Sequence, residues 1–105
     1  VVTGVDGLAP VTHRTVPDRI VAGTWAVAAA ITGGDITIVG ADPHHLDLPL
    51  DKLAGSGALV TSHDEGFRVA MADRPSAVDI VTLPYPGFAT DLQPQFIALN
   101  AVSAG

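Results

Sequence analysis

Two segments of this chain follow one plan. PDRIVAGTWAVAAAITG at residues 17–33 and TDLQPQFIALNAVSAG at residues 90–105 can be laid over each other with Asp18 on Asp91, an interval of 73 residues. Each is reached through an extended run and a proline-bearing turn, passes from an aspartate into an apolar helix, and closes on glycine. Few letters are shared, so the repeat is one of pattern. Such a restart means that one complete structural unit is followed by the beginning of a second. A chain that ends one helix into a repeat is expected to be a piece of a longer protein.

The elements between the two segments can be placed by local signals. THRTVP (12–17) is a short extended run ending in proline. After Asp18, IVAGTWAVAAAIT reads as a helix stopped by Gly33-Gly34. It is apolar nearly all round, which is the pattern of a helix inside a structure. DITIVG (35–40) is a β-branched strand. Asp42-Pro43 opens a turn, and Leu46, Leu50 and Leu53 then recur at helical spacing. With Asp47 as the cap, Pro49 falls in the first helical turn, where its missing N–H costs nothing.

Gly55 and Gly57 end that helix. ALVTSHD and FRVAMAD are two strands joined in a hairpin at Asp64-Glu65-Gly66. AVDIVTLP (77–84) is a further strand, YPGFAT (85–90) a loop, and the last helix runs from about Asp91 to the end. The expected fold is α/β (α+β), within part of one domain spanning 1–105. Residues 12–73 form a complete βαβαββ unit with both helices on one side of a mixed sheet. Residues 77–105 supply the strand and helix that open the next unit.

Composition narrows the function. A chain of 105 residues is one domain or part of one. Charged residues are 15% of it, against about 25% in an average soluble domain, and mean hydropathy is +0.40. Apolar faces on such a chain are covered by more of the same protein or by a partner. The net charge is −6 with only five Lys and Arg, which leaves no clustered basic surface for nucleic acid. Without cysteine there is no disulfide framework, thiolate metal site or thiol nucleophile.

The longest apolar run, Trp25 to Ile31, falls well short of the roughly 20 residues that span a bilayer. VVTGVDG has neither a basic n-region nor an initiator Met, so it reads as an internal start and not as a signal peptide. No membrane partner is expected, and the cytoplasm is the expected compartment.

Few residues are candidates for chemistry. His44-His45, flanked by Asp42 and Asp47, could suggest a metal. Adjacent histidines diverge on any regular element, however, and a closed zinc site needs four converging ligands, so no metal is expected. Gly33-Gly34 and Gly55-Ser56-Gly57 follow helices and precede strands. A phosphate-cradling loop has the opposite order, so these are helix C-caps. No nucleophile elbow accompanies the histidines.

Asp18 and Asp91 remain, each at the expected N-terminus of an apolar helix, where a carboxylate is ordinarily a structural cap. Asp91 has more around it. Tyr85-Pro86-Gly87-Phe88 is a stiff loop able to approach a ligand closely, and Gln93 and Gln95 enter a helix with IALNAV behind them. Polar side chains at such a boundary need partners.

LPYPGFATDLQPQF, together with HRTVPDRIVAGTWAVAAAITGGDI and LDLPLDKLAGSGA, resembles the UDP-N-acetylglucosamine 1-carboxyvinyltransferase family of enolpyruvyl transferases. The resemblance runs from about His13 to the end. Pro86 to Gln93 matches the family's P-x-F-P-T-D-x-Q segment, and PDRI with its Ala-rich helix is a second match. The YPGFATDLQ loop argues against the related shikimate-pathway transferase.

The resemblance implies an inverse α/β barrel-type fold, with two domains of three βαβαββ units and a cleft between them. It also implies a reaction, transfer of enolpyruvyl from phosphoenolpyruvate to the 3-hydroxyl of UDP-N-acetylglucosamine with release of phosphate and without a cofactor. Asp91 is then the contact to that hydroxyl and its general base, with Asp18 and Arg19 behind it, and this piece lies on the nucleotide-sugar side of the cleft. Ala89 departs from the family's proline. The family's phosphate-binding Lys-Asn and Arg residues and its cysteine-bearing loop are absent. The rest of the same protein would supply them, and this chain alone is not expected to turn over. The reading from another class is a small acidic α/β regulatory or interaction module without catalysis.

Overall fold

The computed structural model describes residues 1–105. Its sheet is built on a hairpin whose strands, β2 (Leu59–His63) and β3 (Gly66–Ala70), join through Asp64-Glu65. A third strand, β1 (Asp35–Val39), pairs with the other edge of β3, giving the order β1-β3-β2 with every pair antiparallel. Alternation along each strand then sorts the side chains. Ile36, Val69 and Val60 form one inward row and Ile38 and Phe67 the next, with Ser62 beside Phe67 on the same face but exposed near the hairpin tip. Thr37, Arg68 and Thr61 point the other way. Gly66 sits at φ 155, and a Cβ there would run into the Ile38 carbonyl oxygen, so only glycine lets the hairpin close against β1.

Two helices cover the inward face. The first, α1 (Arg19–Thr32), buries Ala22, Ala26, Val27, Ala29 and Ala30. The second, α2 (Asp47–Gly55), continues a 3₁₀ turn at Pro43–Leu46 and buries Leu50 and Leu53 beside Leu46. A third helix, α3 (Gln93–Val102), follows a 3₁₀ turn at Thr90–Leu92 and packs on α1 through Phe96 and Leu99. Each such side chain withdrawn from water contributes about 1.5–3 kcal/mol. Phe88 and Phe96 meet edge to face at 4.9 Å, which locks the loop before α3 to the helix itself.

The hairpin, the strand at 35–39 and all three helices lie where the local signals put them. Several expectations do not hold. Residues 1–18 are all exposed, and the run at 12–17 pairs with no strand, so the sheet is antiparallel and not mixed. An extended run becomes a strand only when a neighbour takes up its N–H and C=O groups, and neither sheet edge meets this one. The run at 77–84 is likewise held only at points. Isolated bridges join Ser76 to Ala104 and Thr82 to Phe88. Asn100 stands in for a partner strand, donating from Nδ2 to the Val78 carbonyl (2.9 Å) and accepting the Val78 N–H (3.1 Å).

Asp47 is the first residue of α2 and caps nothing, whereas Asp42 accepts the His44 N–H at 2.9 Å and starts the preceding 3₁₀ turn. The last helix ends at Val102, with Ser103 and not glycine as its cap. Burial of α1 is one-sided, because no element of this chain faces Val21 and Trp25, which remain 53% and 62% exposed.

Candidate functional site

The first turn of α1 begins the site. Asp18, with extended backbone, accepts the Ile20 N–H at 2.8 Å and the Val21 N–H at 3.4 Å. It is the helix cap that the sequence announced, and both bonds hold its carboxylate against its own helix. Arg19, the next residue, carries its guanidinium 4.9 Å from the centroid of the Tyr85 ring. That cation–π contact joins α1 to the loop 83–89.

The loop is short and internally bonded. Gly87 donates its N–H to the Pro84 carbonyl at 2.7 Å, Leu83 donates to the Phe88 carbonyl at 3.0 Å, and the Tyr85–Pro86 peptide is cis. Phe88 and Ala89 are buried, which anchors the loop's exit.

Asp91 is the middle residue of the Thr90–Leu92 turn. It is not a cap. Ala89 stands at the cap position of that turn and Leu92 at that of α3, neither with a side-chain bond, because the 3₁₀ turn moves the helix start to Gln93. The Asp91 side chain is exposed and takes part in no hydrogen bond or ion pair within the chain.

Its neighbours on either side are fixed more firmly. Leu92 is completely buried, and a Cβ on Gly23 of α1 would come within 3.0 Å of both its δ carbons. The glycine at 23 is thus what lets the Asp91 turn sit so close to α1. Arg19, Thr82, Leu83, Pro84, Tyr85, Ala89, Thr90 and Asp91 line one open depression of about 340 Å³. The structure brings Arg19 and Asp91 together there, and Asp18 faces its own helix instead. One cation, one unpartnered carboxylate and an exposed aromatic ring suit a ligand with hydroxyls and negative charge.

Gln95 finds its partner in α1. Its Nε2 donates to Thr24 Oγ1 at 2.8 Å, and Thr24 Oγ1 in turn donates to the Ile20 carbonyl at 2.7 Å. The Gln95 Oε1 is buried with no partner. Gln93 is exposed. Sequence reasoning singled out Gln95 but passed over Thr24, whose only signal is a hydroxyl in the middle of IVAGTWAVAAAI, and over Gly23.

The two histidines at 44 and 45 diverge, each facing its own carboxylate. His44 Nδ1 lies 3.6 Å from Asp47, and His45 Nε2 lies 4.0 Å from Asp42. A larger groove of about 770 Å³ lies between the turn 39–44 and the hairpin tip 62–66, with Arg14 across it. Its polar residues Asp42, His44, Ser62, His63, Asp64 and Glu65 are all exposed, and Asp42 is already engaged as the cap of its own turn through the His44 N–H. We therefore place the candidate site at Asp91, although its depression is the smaller. On the outer face of the sheet, Arg68 donates from Nε to Asp35 at 2.7 Å and makes a second bond through its terminal nitrogen. That hydrogen bonding holds the Asp35 carboxyl below its ordinary value and raises the Arg68 guanidinium.

The family model for EPSP synthase (3-phosphoshikimate 1-carboxyvinyltransferase) matches residues 1–105. The chain belongs to the EPSP synthase family. Curated relatives in this family share 99% of the chain's length with it. The Corynebacterium jeikeium (strain K411) relative is 62% identical over 104 residues. The Mycobacterium leprae (strain TN) relative is 56% identical over the same length. The Desulforapulum autotrophicum relative is 49% identical. All three are named UDP-N-acetylglucosamine 1-carboxyvinyltransferase, and the chain spans about a quarter of the length of each. The resemblance carried by the YPGFATDLQ loop is therefore borne out within the EPSP synthase family. No helix of this family member is long and apolar enough to cross a membrane.

Proposed function

We propose that this segment works inside an enolpyruvyl transferase of the cytoplasm. The enzyme would move the enolpyruvyl group of phosphoenolpyruvate to the 3-hydroxyl of UDP-N-acetylglucosamine, releasing phosphate in the step that opens peptidoglycan synthesis. The observation that carries the reading is the state of Asp91, an exposed carboxylate without an internal partner on a turn clamped by Leu92 and Phe96. A carboxylate so placed is free to accept the proton of a bound hydroxyl, and its turn cannot drift while it does so. Arg19 and Tyr85 line the same depression as Asp91, which supports reading this segment as part of the nucleotide-sugar side of a cleft.

The groups that hold phosphoenolpyruvate and deliver the acid come from the remainder of the same protein. That remainder is also what covers Val21 and Trp25, since apolar side chains this exposed are a liability on a free surface.

The test uses the complete protein containing this segment. Phosphate release from phosphoenolpyruvate should require UDP-N-acetylglucosamine, and 3-phosphoshikimate should not replace it. Asp91→Asn keeps the size and removes the proton-accepting charge. It should lower kcat by about 10²–10⁴-fold with a smaller rise in KM for the sugar nucleotide. Normal turnover by Asp91→Asn, or release with 3-phosphoshikimate alone, would overturn the reading.

A further inference from the structure

The one polar side-chain tie between α1 and α3 is the hydrogen bond from Gln95 Nε2 to Thr24 Oγ1. It joins the second turn of α1, five residues after Arg19, to the first turn of α3, four residues after Asp91. Beside it the two helices share the apolar core, to which α1 gives Ala22 and Ala26 and α3 gives Phe96 and Leu99, with Leu92 of the preceding turn set against Gly23. Apolar faces resist separation but tolerate small slides and rotations, whereas a hydrogen bond weakens steeply when its angle changes. The bond is also reinforced. Thr24 Oγ1 is fixed as donor to the Ile20 carbonyl, which turns its lone pair toward Gln95 and orients the Gln95 amide.

That orientation comes at a cost to stability, because the other amide atom, Oε1, is left buried without a partner. An apolar side chain of the same length would avoid this defect. Resting on the reading of Asp91 given above, we propose that Gln95 is a positioning residue. Through Thr24 it sets the rotation of α3 against α1, and so the placing of Asp91 relative to Arg19 across their shared depression.

Stability and turnover should then move in opposite directions. Gln95→Met in the complete enzyme removes the unpartnered Oε1 and strands no donor, since Thr24 keeps its bond to Ile20. Its Tm should be equal to or above that of the parent. Its kcat, measured well below Tm, should fall about ten- to hundredfold with KM for the sugar nucleotide changed less, as expected when a reacting group is misplaced by a fraction of an ångström. Thr24→Val should show the same loss, Thr24→Ser should restore most of the activity by keeping the hydroxyl, and the double variant Thr24→Val with Gln95→Met should be no worse than either single one.

A Gln95→Met kcat within twofold of the parent overturns the proposal, as does a loss that Thr24→Val does not share. Asp91→Asn measured alongside separates the two readings. If Asp91→Asn is impaired and Gln95→Met is not, only the positioning role falls. If Asp91→Asn turns over normally, the role of Asp91 falls and the positioning role with it.

Discussion

The Arg19 guanidinium lies over the Tyr85 ring, 4.9 Å from its centroid, and ties the start of α1 to the loop that leads into Asp91. Both residues line the Asp91 depression, so the pair forms one wall of the candidate site. An exposed cation–π contact is worth about 0.5–1 kcal/mol. Arg19→Met keeps the apolar stem and discards the charge. With Arg19 taken as a wall of the binding depression and not as a reacting group, the variant in the complete enzyme should raise KM for the sugar nucleotide by a few-fold (~1 kcal/mol or less) and leave kcat nearly unchanged. Steady-state kinetics with the sugar nucleotide varied provides the check, and a large fall in kcat would give Arg19 a part in the chemistry instead.

Asp18 and Asp91, which match in the sequence pattern, should part in their effects on stability. Asp18 accepts two backbone N–H groups and Asp91 accepts none. Asp18→Ala should cost about 0.5–2 kcal/mol, and Asp18→Asn almost nothing, since asparagine caps as well as aspartate. Asp91→Ala should leave stability where it was. Denaturant titration of the complete protein measures all three, and equal losses at Asp18→Ala and Asp91→Ala would show that Asp91 caps after all.

That contrast marks what the sequence could and could not reveal. Asp18, Gly33 and the Asp64-Glu65 turn act through bonds to residues a few positions away, so their letters announce them. The strands expected at 12–17 and 77–84 depend on distant partners. Residue propensity says nothing of whether a neighbour arrives, and for Val78 the neighbour proved to be an asparagine side chain. The missed cap at Asp91 has a local cause that is hard to read. A 3₁₀ turn placed before Pro94 moves the helix start from Asp91 to Gln93, and the 3₁₀ turn Pro43–Leu46 before α2 likewise takes the capping aspartate away from the helix, to Asp42. Asp91 and Arg19 were legible as candidates through the motif. Thr24, Gly23 and the Tyr85 contact were not, because each matters only for what the folded chain sets against it.

Gly23 should behave as a spacer. Alanine is the better helix former by about 1 kcal/mol. Its Cβ, however, would come within 3.0 Å of the δ carbons of Leu92, a side chain wholly buried in the core. Gly23→Ala should therefore change Tm little, propensity and crowding offsetting each other, while the displaced Leu92 carries the Asp91 turn with it. A kcat reduced about tenfold or more at unchanged Tm is the expected result. Unchanged kinetics would mean that Leu92 yields without moving its neighbour.

The acid limb of stability should carry the signature of Asp35. Its hydrogen bond to Arg68 holds the folded carboxyl below the ordinary 3.8. At pH values well above 3.8 the group is ionised in both states, and the contribution of the pair is complete. As pH falls through the ordinary value the unfolded chain takes up the proton first, and the contribution drains away until the folded carboxyl titrates too. Asp35→Asn removes the titrating group and the charge.

The stability difference between parent and variant should thus be flat above about pH 5 and close toward zero below it. The two side chains are 39% and 55% exposed, so 1 M salt should also shrink the difference at neutral pH. Denaturant midpoints of the complete protein across this pH range read it directly. A gap that widens on acidification would mean that the Arg68 contact does not stabilise the ionised form of Asp35.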